Sequence, residues 1–119
     1  MNEAGLFSLL EPASPGRLFM ILAPMEMREP YVVMSLISGT PQNTLCGSAH
    51  AWSMSYRIDS YARTRRDALE TMEKIFELVD ACNGDPWIES RSDIYEQDTR
   101  IHRVSVVLLT WYETAKVQP

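Results

Sequence analysis

Cysteine is scarce in this chain. Cys46 and Cys82 are the two present, and they follow neither zinc-site nor dithiol redox spacing, so both are expected to be free thiols. Positive charge is also in short supply: 11 Lys and Arg face 16 Asp and Glu, a net charge of -5 with a pI near 4.9. Attraction of the whole surface to phosphates is therefore weak, and nucleic-acid binding would need a strongly local basic patch. Long apolar runs are missing too. The late stretch VSVVLLTWY has nine residues, where a membrane span needs about twenty. The N-terminus, MNEAGLFSLL, carries an acid and no basic leader region, so a soluble, unsecreted chain with no membrane partner is expected.

The motifs of the common chemistries are absent as well. There is no G-x-S-x-G elbow, P-loop, G-x-G-x-x-G or H-E-x-x-H in the sequence, which removes the usual hydrolase, nucleotide-binding and metalloprotease readings. His50 and His102 are the two histidines; the Cys46-x-x-x-His50 pair has no second pair to complete a metal site, so no metal is expected. His102, flanked by Arg100 and Arg103, reads as exposed. Glu89, Asp93, Glu96 and Asp98 are scattered over one segment and read as a charged outward face that discourages stray edge pairing. No catalytic residue and no cofactor is expected.

What is present is ordinary globular composition, 45% hydrophobic and 23% charged over 119 residues, enough for one domain spanning 1–119 with a real core. Residues 2–10 suit a short helix that Pro12, Pro15 and Gly16 end, completing an N-terminal helix and turn over 1–16. A short strand over 17–22 follows. Pro24 and Pro30 bracket a polar loop, after which YVVMSLIS, residues 31–38, is rich in β-branched and aromatic residues and predicts a strand. The stretch GTPQNTLCGSA, residues 39–49, has no sustained period and reads as a long exposed loop.

Beyond it Trp52, Met54, Tyr56 and Ile58 alternate with Ser53, Ser55, Arg57 and Asp59, which predicts a half-buried antiparallel strand. Thr64 with Asp67 three residues on marks a helix start. Ala68, Leu69, Met72, Ile75, Phe76 and Val79 then form one apolar stripe, and Asn83 with Gly84 stops the helix. Residues 87–95 and 100–112 predict a hairpin about the turn EQDT. Val104, Val106, Val107, Leu108 and Leu109 leave no polar face, so the last strand should lie inside the sheet with its middle covered on both sides. Trp52, Trp87 and Trp111 read as core aromatics, and 113–119 as a loose tail. The class is α+β: an antiparallel sheet against one main helix.

Arg63, Arg65 and Arg66 are the strongest functional candidates. Two of them fall in the first helical turn, where exposed N–H groups help bind anions. They could grip phosphates, meet an acidic protein partner, or be a solvated helix start whose charges mildly oppose the helix dipole.

The ordered set PYVVMSLISGTPQNTLCG, SYRIDSYARTRRDALETMEKI and IESRSDIYEQDTRIHRVSVVLLTWY resembles the phage tail-completion, or tail-terminator, family over about residues 17–112. The family's longer leading helix is shortened here. The resemblance implies a structural virion protein without enzymatic activity. It would form a homo-oligomeric ring, usually hexameric, that caps the head-proximal end of the tail tube, stops tube growth and joins the tail to the head or its connector. Its partners would be copies of itself, the tube protein and the head-completion or connector protein, with DNA passing through in transit, first in the host cytoplasm and then in the virion. Within that reading Arg63, Arg65 and Arg66 are expected on a subunit or tube-facing surface, and Thr40, Gln42, Asn43, Thr44 and Leu45 on an arm touching neighbours. A small regulatory or nucleic-acid-associated binding module is the alternative, with a small enzyme behind it.

Overall fold

The computed structural model of the protein describes residues 2–24, 28–44 and 47–113. In chain order these form α1 (Glu3–Leu10), a 3-10 turn (Glu11–Ala13), β1 (Leu18–Met20), β2 (Tyr31–Thr44), β3 (Gly47–Ala62), α2 (Arg65–Asp80), β4 (Trp87–Glu96) and β5 (Ile101–Glu113). The architecture is mixed α+β, a five-stranded sheet in the order β1-β2-β3-β5-β4 with two short helices. Every ladder is antiparallel except that of β1 with β2, which is parallel. The expectation of a wholly antiparallel sheet is corrected at that edge. Nη1 of Arg17 donates to the carbonyls of Arg28 and Pro30, at 2.8 and 3.3 Å. That clasp brings the returning chain back beside the start of β1, so β2 sets off in the same direction.

Both helices begin on side-chain caps. The Asn2 Oδ1 accepts from the Gly5 N–H at 2.7 Å, and the Thr64 hydroxyl accepts from the Asp67 N–H at 3.1 Å, each satisfying a donor that the first helical turn leaves free. In α2 the three- and four-residue spacing buries Ala68, Met72, Ile75 and Val79 against the sheet, with Leu69 and Phe76 packed at the margin. Asn83 and Gly84 adopt left-handed conformations, φ 57° and 97°, and turn the chain out of the helix. A buried hydrogen bond from the Ser60 hydroxyl to the Ala68 carbonyl, 3.1 Å, fixes the helix start to β3.

The core lies between the helices and one face of the sheet. Leu6 and Leu10 of α1, Met72 and Ile75 of α2, and Ile58 and Leu108 of the central strands are fully buried there, each contributing about 1.5–3 kcal/mol by leaving water. The last strand does lie inside the sheet, between β3 and β4. Its second face is not covered as expected: both helices sit on the side of Val104, Val106 and Leu108, while Val107 and Leu109 on the other side stay half-exposed. On that second face Asp59 is 5% exposed, and its Oδ1, like the Nε of Arg103, is buried without a hydrogen-bond partner.

Further expectations are corrected. Of the expected loop over 39–49, residues 39–44 and 47–49 are strand. Strand β2 continues to Thr44 and β3 starts at Gly47, paired from Gly39↔Met54 through Thr44↔Gly47, because a hairpin ladder satisfies backbone groups whatever side chains it carries. The tryptophans are not all core either: Trp52 and Trp111 are 36% and 42% exposed, Trp52 because its strand runs on past the end of the helical layer and Trp111 because it stands on the helix-free face with Val107 and Leu109. Of the expected tail, 113–119, Glu113 belongs instead to β5, paired with Ala51; the rest lies outside the described residues, as does Cys46. The Cys82 thiol is free, its Sγ donating to the Leu78 carbonyl at 3.3 Å.

Candidate interaction surfaces

The candidate arginines sit where β3 hands over to α2, and each faces a carboxylate. Arg63 lies 3.6 Å from Glu29, Arg65 lies 3.0 Å from Asp93, and Arg66 lies 3.4 Å from Glu70 one helical turn on. Asp93 also takes Arg91 at 3.4 Å, and the guanidinium of Arg91 lies over the Phe76 ring. The Arg65 hydrogen bond, helped by Arg91, holds the Asp93 carboxyl below its ordinary value of 3.8. The arrangement is a laced, largely neutralised surface and not an open basic patch, which weakens any phosphate grip. Next to it a hollow of about 210 Å³ is lined by Arg65, Asp93, Tyr95 and His102. His102, expected to be exposed, is half-buried with its ring 4.7 Å from that of Tyr95.

The second candidate surface is at the other end of the molecule. Strand β3 has 16 residues, about 50 Å of extended chain at roughly 3.3 Å each, and the molecule measures 53 Å along its longest axis against 28 and 24 Å. The arginines lie at one end of that strand and the hairpin tip at the other, so the structure separates the two groups that the sequence singled out. Thr40 is exposed on the arm; Gln42, Asn43 and Thr44 belong to its strand β2, and Leu45 lies outside the described residues.

Where the arm leaves the body its helix-side face opens into a groove of about 460 Å³ lined by Leu36, Gly39, Trp52, Met54 and Tyr112. Gly39 lets the arm close up here, because a Cβ at that position would stand 2.8 Å from the Met54 sulfur. The register slips between Leu36 and Ser38, a bulge that bends the strand and leaves Leu36 and Ile37 47% and 45% exposed. Beside them Ile21 and Leu22, just past β1, are 74% and 77% exposed. Sequence reasoning missed this surface because alternation alone does not tell how far a helical layer extends over a sheet. The unbroken apolar row Trp52, Met54, Tyr56 was its one available signal.

Among the described residues no His, Cys, Asp or Glu side chains gather as a metal site, and no helix is long and apolar enough to cross a membrane. Comparison of the sequence with family models matches residues 4–113 to the tail completion protein gp17 family. The chain belongs to that family. No curated protein matches it. Among solved structures, a chain from the virion of a native gene transfer agent particle superposes with a TM-score of 0.63 at 12% identity, over 87% of this chain and 88% of that one. At that identity the likeness is one of fold. As a tail completion protein the chain has a structural role in a phage-type tail.

Proposed function

We propose that this tail completion protein works as a ring, with six copies closing on the head-proximal end of the tail tube, stopping its polymerisation and joining it to the head or its connector. The observation that carries the reading is the arm: a two-stranded extension with exposed Leu36, Ile37 and Trp52 beside a groove that none of the described residues fills. Apolar surface of that kind marks an interface. Two different ends on one elongated subunit suit head-to-tail association that closes on itself, with each face of the ring offered to a different partner.

Nothing in this work requires a bond to be made or broken, so the protein acts as a structural part and not as an enzyme. The net charge of -5 also lets DNA pass a ring without adhering. The test is tail assembly in producing cells that lack the protein. Tubes of uncontrolled length that fail to join heads are expected, and tubes of normal length on infectious particles would overturn the proposal.

A further inference from the structure

The sheet ends in two edges that run in opposite directions, one without charge and the other with most of its charge paired inside the chain. On one side β1 covers β2 over Val32–Met34; from Ser35 to Thr44 no described strand pairs with the outer edge of β2. That is about 33 Å of open ladder at roughly 3.3 Å per residue. On the other side β4 pairs with β5 alone.

Free edges are ordinarily blunted by charge, above all by lysine, by proline, by bulges or by a covering segment; the β2 edge has Pro41 and two register shifts but no charge. Here residues 30–56 contain no Asp, Glu, Lys or Arg in a chain that is 23% charged. The β4 edge does carry charge, Glu89, Arg91, Asp93 and Glu96, but three of the four are held in ion pairs within the chain: Arg91 and Asp93 with each other and with Arg65, and Glu96 with Arg103. Both edges also carry exposed apolar groups: Leu36 and Ile37 on the first, Ile94 and Tyr95 on the second, at 37% and 49%.

Resting on the ring reading, we infer that the outer edge of β2 takes the β4 edge of a second copy, so that the sheet continues across the subunit boundary. Direction supports the pairing. Strand β4 runs with β3 and against β2, and copies related by rotation keep that sense, so β4 meets the next β2 antiparallel, the slightly more stable ladder. Charge supports it too. Arg91, Asp93 and Glu96 of β4 enter the contact already paired within their own chain, so the uncharged residues 35–44 need supply no counter-charge to them. The two edges differ, so each copy uses one and leaves the other for the next.

Hydrogen exchange and native mass spectrometry on the full chain test the inference. The outward-pointing amides, alternate residues of 35–44 and of 87–96, are expected to slow at least tenfold at both edges between dilute monomer and assembled protein. Ile37→Lys and Ile94→Lys should each stay monomeric alone and form a one-to-one dimer, and nothing larger, when mixed, because each retains the edge that the other lost. Assembled wild-type protein with protection at only one edge, or at neither, overturns the pairing and leaves the ring reading intact; dimers of either variant alone would show like edges meeting and overturn it equally. A wild-type chain that neither assembles nor occurs in particles would instead sink the ring reading and the pairing with it. Should a lysine variant fail to fold, exchange on the wild-type protein still decides.

Discussion

Ile21 is the least comfortable residue in the molecule. It is β-branched, holds φ at 67° and is 74% exposed, while its N–H donates to the Met34 carbonyl at 2.7 Å and pins the end of β1. A side chain in the left-handed region costs about 1–2 kcal/mol unless it is glycine or, less often, Asn or Asp. Ile21→Asn keeps the backbone bond and loses little packing, so the monomer should gain up to about 1 kcal/mol, read as a higher melting temperature. A loss of stability would show that Ile21 packs more than its exposure indicates. Asp93 yields a pH test. Its folded carboxyl lies below 3.8 through the Arg65 hydrogen bond, so its contribution is present above the unfolded value and is lost as pH falls below about 4. At a surface site that contribution stays under about 1 kcal/mol. Asp93→Asn should be slightly less stable than wild type at pH 7 and indistinguishable from it near pH 2, as measured by denaturant melts.

Among the elements, α2 and the strand cores were legible from the sequence because burial imposed a period on them: Ala68, Met72, Ile75 and Val79 at helical steps, Tyr56 and Ile58 at alternate positions. The arm was not legible. Gly39, Pro41 and Gly47 are turn-forming types, and with no layer above them the strands had no reason to alternate; their pairing is written in backbone hydrogen bonds, which sequence pattern does not record. The arginines failed in a different way. Arg65 and Asp93 are 28 residues apart in sequence, and only the placement of β4 beside α2 joins them. Since the arm shares little with the core, deleting residues 40–48 and closing the hairpin with a short turn should leave the melting temperature within a few degrees of wild type while assembly is lost. Matched thermal melts and size-exclusion runs check this, and a collapse of monomer stability would count against the arm as a separate docking element.

At the scale of the whole molecule, the two candidate ends test the ring proposal separately. Replacing Arg63, Arg65 and Arg66 together by glutamate breaks three exposed ion pairs and sets like charges against Glu29, Asp93 and Glu70, at roughly 1 kcal/mol each on an exposed surface. The chain should stay folded while ring formation or tail joining is abolished, and infectious particles assembled normally from the triple variant would remove the arginines from the interface. The uncovered face of the sheet adds one more constraint. Asp59 Oδ1 and Arg103 Nε are already buried there without partners, a cost of about 1–3 kcal/mol each that a polar group reaching them would relieve and a greasy layer would not. The centre of that face is therefore suited to stay wet or to receive a polar guest.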